Sequence, residues 1–198
     1  AGIYEEWEVP YGYHFNGIGG LVTQRYMYET GAPIEHIAAL ITSNRKWAMK
    51  NEKALLHREV SAEEVAKSRM VASPLTSRMC NIVCDGAYAY IVTSAKKARE
   101  LVKTPAYILG IGGVVTHFSL MRAGDITRFA WKKAFDEAME NAGVKRSDFG
   151  TAELYESYPI FPIIQLEEFG FCERGKAGKF IYDGHTWPGG DLPMTTDG

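Results

Sequence analysis

The sequence predicts an α/β protein preceded by a helical segment, on two observations. Up to residue 79 apolar residues recur at helical spacing between polar loops, and from residue 80 short β-branched and aromatic runs alternate with amphipathic stretches. The second pattern reads strand, helix, strand, helix, strand, helix, which is the signature of a layered core. With 198 residues, 46% of them hydrophobic and 23% charged, the chain has the material for one large domain or two small ones.

In the first segment Ile18, Leu21, Val22 and Tyr26 lie on one side of a helix that ends at Gly31, a residue suited to the left-handed position after a last turn. Pro33 then opens a second helix with Ile34, Ile37, Ala38 and Ile41 at i, i+3, i+4 and i+7. Residues 44–58 are basic and polar, with Trp47 and Met49 among them. Ser61 and Glu64 have capping-box spacing, in which hydroxyl and carboxylate each satisfy an orphan amide, and predict a short third helix.

Beyond Asn81 the texture changes. Ala87–Thr93, entered through Asp85–Gly86, predicts a buried strand, and Ser94 caps a helix running to about Leu101. Pro105–Val115 predicts a second strand, Asp125 caps a helix carrying Ile126, Phe129, Ala130 and Phe135 to Gly143, Thr151–Tyr155 is a third strand, and Pro159–Phe169 a helix closed by Gly170.

Composition excludes some partners. With 22 basic and 24 acidic residues the net charge is −2, so there is no bulk attraction to nucleic acid or an anionic membrane surface. No apolar run approaches the roughly 20 residues that span a bilayer, and no leader opens the chain. Cys80, Cys84 and Cys172 have neither disulfide nor zinc-hook spacing, and read as reduced thiols of a cytoplasmic protein, with Cys80 and Cys84 in packing roles. The five histidines are scattered without acidic companions at ligand spacing, so no metal site is expected. LGIGG at 109–113 is not a dinucleotide fingerprint, because Val114 and Val115 continue the strand; glycines that allow a close neighbour are the better reading.

Three places hold candidate chemistry. Tyr155 and Tyr158, in ELYESYPIFP at 153–162, stand where a strand hands over to a helix; a phenol there can support an oxyanion or exchange a proton, although aromatic core residues are common at strand ends. His117 follows a strand and is a pocket candidate against the plainer reading of a surface-loop histidine. Arg45, Lys46, Lys50 and Lys53 around Trp47 form a basic patch able to meet a phosphate-bearing ligand, or simply a solvated helix face.

Several phrases, in order along nearly the whole chain, resemble the thiolase superfamily in its lipid-transfer or sterol-carrier type: VPYG (9–12), RYMYETGAPIEHIA (25–38), NRKWAMKNEKA (44–54), SRMVASPL (68–75), CDGAYAYIVTSAKKAREL (84–101) and ELYESYPIFPIIQLEEFGFCERGKAGKF (153–180). The resemblance implies a partial thiolase-like α-β-α-β-α core. Residues 1–79 become a loop domain covering the active site and contacting coenzyme A, 80–103 the last strand and helix of the first core repeat, and 104–198 an incomplete second repeat. It also implies that the nucleophilic cysteine lies ahead of Ala1, and that the second catalytic residue follows a glycine-rich phrase like PMTTDG at 193–198. The chain thus reads as a piece of something longer.

Relatives of this kind head an N-E-A-F or H-D-x-F phrase with an asparagine or histidine that stabilises a thioester enolate. Tyr155 takes that place here, in Tyr155-Glu156-Ser157-Tyr158. A phenol, with an unperturbed pKa of ~10, is an acid before it is a base. The departure opens two enzymatic readings: acyl transfer of thiolase type, the broader class and the one favoured at this point, and retro-aldol cleavage of a β-hydroxyacyl-CoA, as in steroid side-chain aldolases, which have tyrosine at this place. A third reading is a non-catalytic lipid or acyl-CoA carrier or assembly subunit. The implied substrate is a coenzyme A thioester with no covalently bound cofactor. The implied partners are a second copy through the core and a small companion with an OB-fold and zinc ribbon.

Overall fold

A computed structural model describes residues 6–12, 14–117 and 119–198, so the first five residues of the 1–79 segment, Tyr13 and Phe118 lie outside the described residues. After a single-turn 3-10 helix at Val9–Tyr11 comes α1, Phe15–Thr30, which buries Ile18, Val22 and Tyr26 and leaves Leu21 exposed. It stops as expected at Gly31, whose φ of 69° lies in the left-handed region. Helix α2, Ile34–Ala48, buries Ile37, Ala38 and Leu40, and its N-cap is Pro33. Ser61 caps α3, Ala62–Ala66, by accepting from the Glu64 amide at 3.1 Å.

The hairpin of β1, Met70–Ala72, and β2, Leu75–Thr76, is the two-stranded sheet of the described residues; it is antiparallel, with Met70 opposite Thr76 and Ala72 opposite Leu75. Helix α1 comes so near this hairpin that a Cβ on Gly20 would stand 2.9 Å from the Ser73 carbonyl oxygen.

The strand expectations need correction. Ala87–Thr93 and Pro105–Val115 have no ladder partner among the described residues, and the first is exposed rather than buried, Tyr88 to 94% and Ile91 to 89%. Local propensity favours extended backbone, but a strand also needs a neighbour to take its amides and carbonyls. The third expected strand, Thr151–Tyr155, makes one parallel bridge, Ala152 to Met194. Gly110 and Gly112 do permit a close approach: a Cβ on Gly110 would collide with the carbonyl of Ala138, and one on Gly112 with that of Ala134.

Those two carbonyls belong to α5, Trp131–Ala142, which follows α4, Ala95–Leu101, a helix capped by Ser94. Asp125 does not cap α5. Its carboxylate accepts from the Thr127 amide at 2.7 Å in a local turn, and α5 starts six residues later. The donors at the start of α5 are met from outside: Glu168 accepts from the Phe129 amide at 2.7 Å and the Lys132 amide at 3.4 Å. Gly143 caps the other end at φ 65°.

Helix α6, Ile160–Glu168, is the apolar centre, with Ile160, Ile163, Ile164 and Leu166 fully buried. Helix α7, Ala177–Tyr182, was not expected from the sequence. One hydrophobic cluster joins residues from Ile18 to Met194, so the helices of the first segment and α6 and α7 share a core. Tyr26 anchors that union by donating to Glu167 at 2.5 Å, and Glu167 also accepts from the Gly175 amide at 2.9 Å.

Candidate active site

Residues 151–158 leave the Ala152 bridge and run into α6, and extended backbone turns alternate side chains to opposite sides. Tyr155 and Ser157 face a cleft of about 460 Å³. Phe15 and Ile18 of α1, Leu120, Phe129, Trp131 and Phe161 supply its apolar wall, and residues Val114 to His117 also line it. Phe129 and Trp131 stack at 4.3 Å between ring centroids, and Phe161 meets both rings edge-on. Aromatic contacts of this kind hold a wall rigid.

The structure therefore brings two of the expected site residues together. Tyr155 is 72% exposed at the cleft. His117 lines the same cleft, its Nδ1 2.9 Å from the Thr116 hydroxyl. Ser157 Oγ and Gln165 Oε1, residues the sequence reading passed over, line it too, and neither atom has a hydrogen-bond partner among the described residues.

Tyr158 is placed elsewhere. It is buried, donates to Asn16 Oδ1 at 2.5 Å and packs on Phe15 at 5.2 Å. Burial raises its phenol to about 12, with smaller pushes from Cys80 and Tyr155. A phenol so placed is a packing group with a satisfied hydroxyl.

Glu156 turns away from the cleft. Its carboxylate accepts from Asn44 Nδ2 of α2 at 2.5 Å, and Asn44 Oδ1 accepts from the Thr195 hydroxyl at 2.8 Å. Burial pushes its pKa up to about 7, the negative charges of Asp197 and Glu153 adding to the effect and the Asn44 hydrogen bond opposing it. Glu153 accepts from the amide and hydroxyl of Thr196 at 3.1 and 2.7 Å. Asn44 lies 112 residues from Glu156 and 151 from Thr195 along the chain, beyond the reach of any local motif.

Cys80 and Cys172 are not activated in this setting. Burial raises Cys80, and burial with the nearby Glu167 charge raises Cys172 to about 11. Cys84 is exposed, so its expected packing role is corrected. The basic patch is also redrawn. Lys46 sits over the Trp187 ring at 4.5 Å and pairs with Glu59, while Arg45 is half-buried near Arg58 and Arg78. No helix of the described residues is long and apolar enough to cross a membrane.

Comparison with known proteins places these features. Residues 112–198 match the family described as thiolase C-terminal domain-like. The acetyl-CoA acetyltransferase of Methanothermobacter thermautotrophicus is 33% identical over 98% of this chain and 51% of its own length. The chain belongs to the thiolase superfamily.

Within the superfamily the steroid side-chain-cleaving aldolase of Thermomonospora curvata is 34% identical over 97% of this chain and 51% of its own length. A solved Ltp2-ChsH2(DUF35) aldolase superposes with a TM-score of 0.91 at 32% identity, over 98% of this chain and 52% of that one. The fold is thus thiolase-like, and the chain spans about half the length of the relatives it matches.

Proposed function

We propose that the protein breaks or makes a carbon–carbon bond next to a coenzyme A thioester, and that its reaction is retro-aldol cleavage of a β-hydroxyacyl-CoA. The observation that carries this reading is Tyr155: a phenol open to an aromatic-walled cleft, at the position where the resemblance places the residue that holds the enolate oxygen. In this reaction a base takes the β-hydroxyl proton and the Cα–Cβ bond breaks. Cβ becomes a free carbonyl, and the electron pair passes to the thioester as an enolate that is then protonated at Cα. The Tyr155 hydroxyl donates to the thioester oxygen as charge develops there, an interaction of the kind whose loss costs about 3–4 kcal/mol of transition-state stabilisation. His117, which lines the same cleft, exchanges the second proton. Tyr158 takes no direct part.

The apolar wall suits a bulky, ring-bearing acyl group, and the name of the steroid side-chain-cleaving relative points the same way. In this reading residues 1–79 cover the site and meet coenzyme A through the Arg45, Arg58 and Arg78 cluster, 80–103 complete a first core repeat, and 104–198 form most of a second. The protein pairs with a second copy through its core and takes a small companion subunit, the latter supported by the two-component name of the solved aldolase.

Thiolase-type acyl transfer is the second reading, supported by the acetyltransferase relative. Product analysis of the whole protein separates the two. Given a β-hydroxyacyl-CoA, an aldolase releases a free ketone or aldehyde and consumes no coenzyme A. Given a β-oxoacyl-CoA, an acyltransferase consumes one coenzyme A for each bond cleaved, and that result would overturn the first reading.

A further inference from the structure

The residue behind the junction, Glu156, is half-buried and held, while Tyr155 in front of it is exposed. Three chain segments meet at the side chain of Asn44: α2, which carries it; residues 152–157, through Glu156; and residues 193–197, through Thr195. The last two are also tied by their backbones, the Ala152 amide donating to Pro193 at 2.9 Å and the Thr195 amide to Ala152 at 3.1 Å. Thr195 holds a φ of 46°, the one non-glycine residue in the left-handed region among the described residues, a conformation that persists where its surroundings fix it.

We propose that Asn44 is a positioning residue for Tyr155: its amide, oriented by the Thr195 hydroxyl, grips Glu156 behind the strand end and so fixes how Tyr155 faces the cleft. The proposal rests on Tyr155 being the group that meets the thioester.

The direction of the hydrogen bonds supports it. A hydroxyl donating to Oδ1 commits the amide to present its N–H groups toward Glu156, which as a carboxylate can only accept. The charged groups facing Glu156 are Glu153 on its own segment and Asp197 on the C-terminal one; α2 contributes the neutral amide. The carboxylate is thus held by one donor against two like charges, and the position of the junction depends on that donor.

Asn44→Asp makes this visible. An aspartic acid replaces the amide donor only while the Asp–Glu pair keeps one proton; once both ionise, two carboxylates face each other and the grip fails. Glu156→Gln keeps an acceptor for the amide with no charge to titrate.

The experiment uses the whole protein labelled with fluorotyrosine, the Tyr155 fluorine resonance being assigned by its loss in Tyr155→Phe. In Asn44→Asp the resonance should move with pH in a step absent from Glu156→Gln, and kcat should fall in parallel by at least about fivefold with KM little changed. A resonance and kcat profile that superimpose on those of the unaltered protein would overturn the proposal. If Asn44→Asp does not fold, Thr195→Val serves instead: it removes the orienting hydroxyl while keeping a β-branched side chain, and should displace the Tyr155 resonance, an undisturbed one overturning the proposal. Should Tyr155→Phe leave turnover intact while the resonance still follows residue 44, the positioning stands and the functional reading of Tyr155 fails.

Discussion

Gly19 of α1 lies against the ring of Tyr158, so close that a Cβ at residue 19 would stand 2.6 Å from the ring's Cδ2 atom. This contact seats the helix of the first segment on the turn that leads into α6. It is also why Tyr158 points to Asn16 and not into the cleft that Tyr155 faces.

Gly19→Ala is therefore expected to destabilise the protein. Overpacking costs about 1–3 kcal/mol, and the gain of about 0.5–1 kcal/mol from replacing a helical glycine offsets only part of it. Denaturant titration checks this, and a stability equal to or above that of the unaltered protein would contradict the contact.

Glu156 makes stability depend on pH in the direction opposite to an ion-paired carboxylate. Its pKa is about 7 in the folded chain against an ordinary 4.5. Below the lower value it is protonated in both states and contributes nothing. As pH rises through the interval the unfolded chain releases its proton first, so stability is lost, on the order of 3 kcal/mol by the time pH exceeds the upper value. Glu29, Glu64 and Asp125 are shifted the other way and act at lower pH. The difference between the unaltered protein and Glu156→Gln isolates the effect: the variant should gain relative stability as pH rises from 4.5 to 7, and a flat difference would show that Glu156 keeps an ordinary pKa.

Coenzyme A should protect the first segment. If Arg45, Arg58 and Arg78 meet its phosphates, tryptic cleavage within residues 1–79 of the whole protein should slow at least about tenfold at saturating ligand, since bound ligand lowers the population of open forms. Identical digestion with and without coenzyme A would remove that segment from the binding site.

What could be read in the sequence was mostly local. Gly31, Gly143, Ser61 and Ser94 each marked a helix end because a cap is satisfied within a few residues of itself. Asp125 misled for the complementary reason: the cap of α5 comes from Glu168, some forty positions on, a pairing that no spacing rule contains. Tyr88, Tyr90 and Ile91 show β propensity and yet lie exposed, since propensity supplies no partner strand. Tyr155 was legible by position in a phrase, whereas Asn44 and Thr195 looked like ordinary polar residues until the fold brought them to Glu156.

The central claim is that the Tyr155 phenol carries the chemistry of the cleft, and the most direct measurement is the turnover of Tyr155→Phe in the whole protein. The side chain is exposed, and no hydrogen bond of its hydroxyl joins it to the described residues, so stability should change little. Turnover should fall at least about tenfold, and more if the hydroxyl is a full oxyanion donor. A variant that is equally stable and equally fast would contradict the role given to Tyr155.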